Sequence, residues 1–303
     1  MSAPRALSVG LAVRNDPHRV RRCIESVLSQ DFTDIELVIA DNASDDDTVD
    51  TLQEYARDDR RVSVTVNPVN IGSHENMNRV LELSRGTLFR WISADDWLEP
   101  QALSEAVRAL ERHPEAIGAT SGFTIHTPDA APRYEQYPGE YPESPDAAHR
   151  FERMLWFFHA GDGKYDPMYG VYRREQLMRT GRIRPSERTD WLLSAELALT
   201  APIVHIREML SHRTNSYPLG ADRAAFRRRL DPARGEELKT SPSRMYADLY
   251  ALARAADVTE SQLRRCRTAL RRFWLRELKR TNRVRASDAY HRALDQSLPA
   301  RSR

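Results

Sequence analysis

The feature that most constrains the fold is the alternation of short apolar runs with amphipathic stretches over the first hundred residues. Leu7–Val13 is an apolar run of strand length, and Arg19–Gln30 carries Val20, Cys23, Ile24, Val27 and Leu28 at helical spacing. Ile35–Ala40 reads as a second buried strand. Ser44 is placed to cap a following helix that has acid in its first turn and an apolar stripe of Val49, Leu52 and Tyr55. Val62–Val66 reads as a third strand, Glu75–Leu83 as a third helix stopped by Gly86, and Leu88–Ile92 as a fourth strand. Strand and helix at this pace imply parallel pairing through right-handed crossovers, hence an open α/β sheet.

Beyond the fourth strand the pattern loosens. Residues 128–145 hold five prolines among Tyr, Glu and Asp, which predicts a loop or lid. Phe151–Phe158 is strongly apolar, with Trp156, Phe157 and Phe158 read as core; Met168–Tyr172 reads as a strand and Asp190–Leu199 as a helix. From Gly220 to Arg303 there are 21 Lys and Arg against 10 Asp and Glu, whereas the preceding residues hold 25 against 34. This reversal of charge predicts two regions, 1–217 and a basic helical extension over 218–303. Two cysteines, Cys23 and Cys266, make neither a disulfide framework nor a zinc cage. With no apolar run of spanning length and no leader-like start, the expectation is a cytoplasmic protein.

In an open parallel sheet, ligands bind beyond the carboxyl ends of the strands. Four polar clusters fall there: Arg14-Asn15-Asp16, Asp41-Asn42, Asn67–Gly72 and Ser93-Ala94-Asp95-Asp96. Asp41 alone reads equally well as a helix cap. Asp95 and Asp96, flanked by Trp91, Ile92, Trp97 and Leu98, are harder to place without a partner, because adjacent carboxylates repel and resist desolvation. A divalent cation holding a diphosphate would compensate them. The first strand turns through Arg14-Asn15-Asp16-Pro17-His18 without glycine, which argues against a dinucleotide dehydrogenase, a Walker-type ATPase and a sugar nucleotidyltransferase.

These residues resemble glycosyltransferase family 2. Leu7-Ser-Val-Gly-Leu-Ala-Val-Arg-Asn, the stretch from Ser26 to Asp46 ending in Asp41-Asn-Ala-Ser-Asp-Asp, then Asn70-Ile-Gly, Asn76-Met-Asn-Arg, Gly86 and Ser93-Ala-Asp-Asp follow in order. Thr189-Asp-Trp-Leu-Leu-Ser-Ala-Glu resembles the segment that carries the family's catalytic aspartate, so the resemblance covers about residues 6–215. It implies a GT-A fold, a Rossmann-like mixed sheet flanked by helices, with a nucleoside-diphosphate-sugar donor, UDP first among them, and inversion at the anomeric carbon. By the same resemblance Ala12, Val13 and Arg14 line the base pocket, Asp41 bonds the base, and Asn70, Ser93, Ala94 and Asp95 border the nucleotide sugar. Asp96 would ligate Mn²⁺ or Mg²⁺, and Asp190 would be the general base. Ser93 stands where the family often has an acid, and Arg14 where an aromatic residue is common.

Several residues keep two readings. Asp190 is either base or helix cap, and His212 either a further metal ligand or a core or surface histidine. His74 and Asn78 either reach the phosphates or lie on a solvated helix face, while Glu196 reads as structural. Tyr165–Gly170 lies where an acceptor would bind. In the tail, Leu263, Leu270, Phe273, Trp274 and Leu278 share one side of a helix whose other side is rich in arginine. It either packs on its own catalytic domain or lies on an anionic membrane at the inner face of the plasma membrane. No nucleic-acid signature is present. The expected activity is a hexosyltransferase-type, metal-dependent inverting transfer to a glycan, lipid-linked or small-molecule acceptor in bacterial polysaccharide synthesis, with a homodimer allowed; the rival is an inactive GT-A scaffold.

Overall fold

The computed structural model describes residues 6–134, 137–160, 164–214 and 223–297, with side chains through residue 280. The first half follows the alternation: β1 (Leu7–Val13), α1 (Arg19–Leu28), β2 (Ile35–Asp41), α2 (Thr48–Asp58), β3 (Val62–Val66), α3 (Ser73–Leu83) and β4 (Leu88–Ser93). Then come β5 (Trp97–Leu98), α4 (Ala102–Arg112), β6 (Gly118–His126), β7 (Arg133–Tyr134) and α5 (Ala147–Ala160). A 3₁₀ turn at Pro167–Tyr169 precedes β8 (Val171–Arg173), α6 (Arg174–Met178), α7 (Thr189–Thr200) and β9 (Ile203–Thr214). The basic region supplies α8 (Arg223–Leu230), α9 (Pro242–Ala255) and α10 (Glu260–Ser297).

One mixed sheet runs β3-β2-β1-β4-β8-β6-β9-β5, with β7 on the side of β6. β1 pairs in parallel with β2 and β4, so Val13, Asp41 and Ser93 finish their strands on one edge. β8 is antiparallel to both β4 and β6, and β9 lies parallel to β6 and antiparallel to β5. The β6–β9 ladder is irregular between Ser121 and Phe123, where β9 holds extra residues and bends. That bend carries the end of β9 across to β5, beside Asp95 and Asp96.

Two apolar layers cover the central strands. Leu7, Val9 and Leu11 meet Val20, Ile24 and Val27 of α1 on one face. On the other, Phe89 and Trp91 meet Val80, Leu81, Leu193 and Leu197. Gly10 permits this second contact: a Cβ there would lie 2.6 Å from the Phe89 ring and 2.9 Å from Val80. A third cluster joins Phe151 and Leu155 of α5 and Leu192 and Leu199 of α7 to Met245, Leu249, Leu270 and Phe273 of the tail. The tail helices therefore pack on the α/β body, as the first of their two readings had it. The arginines of α10, Arg264, Arg265, Arg271, Arg272 and Arg276, stay exposed, whereas Arg227 of α8 is buried against Glu187 at 3.2 Å.

The structure corrects two elements. Ser44 does not cap a helix; α2 begins at Thr48, and the Ser44 hydroxyl and amide instead bond the Asp41 carboxylate at 2.5 and 2.9 Å. The strand expected at Met168–Tyr172 is divided, because Pro167 opens a 3₁₀ turn whose cap is the Asp166 carboxylate, at 3.1 Å from the Met168 amide.

Candidate active site

The C-terminal edge of β1 to β4 is organised by side chains that bond loop backbone. Asn42 donates to the Asn70 carbonyl oxygen at 2.8 Å and accepts from the Ile71 amide at 2.9 Å. Asn67 donates to Asn76 at 2.8 Å, and Asn76 donates to the Ala40 carbonyl at 2.8 Å. Asn70 also accepts from the amide of Gly72, whose φ of +85° starts α3. These four asparagines lock the loop after β3 onto β2. Asp41 is fully buried with its carboxylate on Ser44, and Arg14 is exposed, 3.8 Å from Asp45.

A second arrangement, dominated by charge, lies where β4, β9 and the 3₁₀ turn meet. Asp95 and Asp96 follow β4 in a turn closed by the Asp96 amide on the Ser93 carbonyl. β9 fastens this turn twice: the Thr214 amide donates to the Asp96 carboxylate at 3.0 Å, and the Thr214 hydroxyl to the Asp95 carbonyl at 2.6 Å. Arg213 places Nη1 3.6 Å from Asp96 and 3.3 Å from Asp166, with its guanidinium 3.9 Å over the Tyr169 ring. The Tyr169 hydroxyl meets that of Ser93 at 3.2 Å. Behind them the buried Arg90 donates to Ser211 at 3.0 Å. Asp95 is the more open acid, its side chain 21% exposed and 3.4 Å from Arg19, against 9% for Asp96.

Burial sets the electrostatics. It pushes the Asp96 carboxyl up to about 6 against the pull of Arg213, with Asp95 and Asp166 adding like charge. It lowers Arg90 to about 9, helped by Arg213, so Arg90 remains a cation at neutral pH. Asp190, in the first turn of α7, is likewise held up to about 6, first by burial and then by the charge of Asp166. The charge of Asp166 raises both Asp96 and Asp190. A carboxylate poised near neutrality at the rim of a sheet is suited to accept a proton.

Residues 8–176 match the model of glycosyl transferase family 2, more than half of the chain. The chain belongs to this family. It is similar to EpsH of Bacillus subtilis, 29% identical over 143 residues covering 45% of this chain and 41% of EpsH. It is also similar to chondroitin synthase of Escherichia coli, 35% identical over 97 residues covering 32% of this chain and 14% of that protein. The chain spans less than half the length of the curated relatives it matches. Among solved structures, Staphylococcus aureus TarS 1-349 in complex with UDP-GlcNAc superimposes with a TM-score of 0.63 at 17% identity, over 85% of this chain and 69% of that one. The mannosyltransferase PcManGT of Pyrobaculum calidifontis, in complex with GDP-Man and Mn²⁺, gives 0.52 at 15% identity, over 88% and 74%. These likenesses show the fold: the glycosyltransferase has the GT-A architecture, a mixed sheet flanked by helices.

Within this glycosyltransferase, Ala12, Val13, Arg14, Asp41, Ser93, Ala94, Asp95 and Asp96 lie along one sheet edge, while Asn70 is engaged in the asparagine ladder. Asp190 is not a helix cap; Arg188 holds that position. His212 has Glu99 at 2.7 Å from Nε2 and His126 at 3.0 Å from Nδ1, and it stacks on Trp97. As the neighbour of Arg213 on a strand, it faces the opposite side. His74 and Asn78 do not lie on a solvated face, since both are buried: Asn78 exchanges two hydrogen bonds with Ile183, and burial lowers the pKa of the His74 imidazole. Glu196 is structural, paired with Arg184 at 2.7 Å. The sequence assigns no role to Arg213, Thr214 or Arg90, and Asp166 enters it only within the Tyr165–Gly170 segment expected to face an acceptor. The Arg213-Thr214 pair directly after His212 was the available signal, but β9 was not recognised as a strand ending at the acids.

Proposed function

We propose that this glycosyltransferase transfers a hexose from a nucleoside-diphosphate sugar, UDP first, to a hydroxyl of a glycan, lipid-linked or small-molecule acceptor, with inversion and with Asp190 as general base. The observation that carries the reading is the carboxyl of Asp190, held up to about 6 beside the acid-rich end of the sheet. In the reaction the acceptor hydroxyl gives its proton to the Asp190 carboxylate while its oxygen bonds the anomeric carbon. The bond from that carbon to the diphosphate oxygen breaks on the opposite face, and the electron pair leaves with the diphosphate. A positioned base of this kind contributes about 10²–10⁴-fold. UDP and UDP-GlcNAc in the TarS complexes, and GDP-Man in the PcManGT complex, support a nucleotide-sugar donor.

A divalent cation, Mn²⁺ or Mg²⁺, fits the acids. Asp96 is buried beside the like charges of Asp95 and Asp166, which a cation would offset, and the Asp95 side chain next to it is 21% exposed. Among the described residues no three His, Cys, Asp or Glu side chains converge, so phosphate oxygens and water would complete the coordination. Asp95, 21% exposed against 9% for Asp96, is the better-placed first ligand, with Asp96 behind it. Such an ion would offset the charge growing on the leaving diphosphate.

The test is thermal stabilisation by UDP, GDP, dTDP and CDP, with and without Mn²⁺, on wild type, Asp95→Ala and Asp96→Ala. A ligand at about one hundred times its Kd stabilises by about 2.7 kcal/mol. Stabilisation by one nucleotide that Asp95→Ala reduces is the expected result. No stabilisation of wild type by any of the four withdraws the donor reading.

A further inference from the structure

The donor end contains its own cations, and their placement has a purpose beyond holding the fold. Asp95, Asp96 and Asp166 would present three negative charges to an arriving diphosphate. Arg19 stands 3.4 Å from Asp95, Arg213 touches both Asp96 and Asp166, and Arg90 lies behind them, still charged. Arg19 is shared with Asp16, 2.7 Å away, and Ser93, at the head of the turn, brings a hydroxyl and no charge. The burial of Arg213 would by itself lower its pKa, yet Asp166 and Asp96 outweigh burial and keep it a fixed cation.

Its geometry suits an anion. The Arg213 guanidinium carbon lies 3.9 Å over the centre of the Tyr169 ring, and its ion pairs with described residues run through Nη1. A guanidinium carries five N–H donors in a rigid fork. Among the described residues none accepts from Nε or Nη2. Arg213 sits on the strand that holds Asp96 through Thr214, which sets its backbone beside the acids.

We propose that Arg213 is a diphosphate-binding residue, a built-in cation that lets the donor cleft hold a nucleoside diphosphate without a divalent ion. This rests on the nucleotide-sugar reading above. A metal would then strengthen binding that already exists, and the group that distinguishes UDP from uridine in the absence of metal would be this arginine.

The experiment is calorimetric titration of the full chain with UDP, inorganic pyrophosphate and uridine, each in EDTA and in Mn²⁺, on wild type, Arg213→Gln and Arg213→Lys. The expected result is UDP and pyrophosphate binding by wild type in EDTA. Arg213→Gln should weaken both about tenfold or more in EDTA, equivalent to about 1.4 kcal/mol, and less in Mn²⁺, with uridine unchanged. Arg213→Lys, which keeps the charge and loses the fork, should fall between. The proposal is overturned if wild type binds UDP in Mn²⁺ alone, if Arg213→Gln matches wild type in EDTA, or if uridine weakens as much as UDP. Failure of wild type to bind UDP or pyrophosphate in either condition overturns the proposal together with its donor reading, whereas the other failures leave that reading standing.

Discussion

The two ends of the cleft are built by different chemistry. The edge of β1 to β3 is tied by neutral amides: Asn42, Asn67, Asn70 and Asn76 bond one another and nearby backbone. The end formed by β4, β9 and the 3₁₀ turn is tied by charge, with Asp95, Asp96 and Asp166 set against Arg213 and Arg90 from distant segments. Amide bonds fix a loop with little dependence on pH or salt. A buried set of charges stays responsive to whatever charged ligand enters, at the cost of desolvation. If the proposed function holds, the first end frames the site and the second meets the diphosphate.

The largest effect should separate those roles. Asp190→Asn should lower kcat by about 10²–10⁴-fold and leave the Kd for UDP within about twofold of wild type; an equal loss of UDP binding would make Asp190 part of the frame instead. Next comes Phe273→Ala, which removes a buried ring from the cluster that α10 shares with α5 and α7. It should cost about 3–5 kcal/mol in a single unfolding transition. A separate early transition that leaves UDP binding intact would identify residues 218–303 as an independent unit.

Asn42→Ala should cost about 1–3 kcal/mol, since it strands the Ile71 amide and the Asn67 side chain. Its effect should be nearly the same at pH 6 and pH 8, as expected of neutral groups. The charged end should behave otherwise. Asp190 has a raised pKa in the fold, so stability is lost progressively as pH rises from about 4, where the unfolded chain ionises, to about 6, and stays low above that. Asp190→Asn should therefore be more stable than wild type at pH 8, by about 1–2 kcal/mol after allowing for partial exposure, and equal to it only near pH 3. In wild type kcat should fall as pH drops through about 6, because the base becomes protonated. A stability loss complete by about pH 6 together with a rate that rises through the same pH would tie both to this one carboxyl.

The same contrast explains what could be read from the sequence. The elements β1 to β4 with α1 to α3 were legible because each depends on local periodicity, and the strand-end clusters followed from them. Ser44 was misread because a serine before a helix reads as a cap, whereas here it bonds a buried carboxylate three residues earlier. β9 escaped notice: Arg207 and Glu208 interrupt its alternation at the bend, so Arg213 had no strand to place it. His74 and Asn78 were placed by helix face alone, and the segments that cover them, around Ile183 and Asp231, lie far along the chain. Compensation between charges more than a hundred residues apart has no local signature.

The late arrival of β9 has a consequence for how the enzyme comes into being. A chain emerging from the ribosome completes β1 to β4 long before Thr214 exists, and domains begin to fold as they emerge. Until the last strand inserts beside β6 and reaches β5, Asp95 and Asp96 lack the Thr214 amide and the Arg213 cation that hold them. Pairings of such long range are also the slowest to form. The parallel half of the sheet is thus assembled first and the charged cluster around Asp95 and Asp96 last, so a newly made molecule completes that cluster only when the sheet is complete.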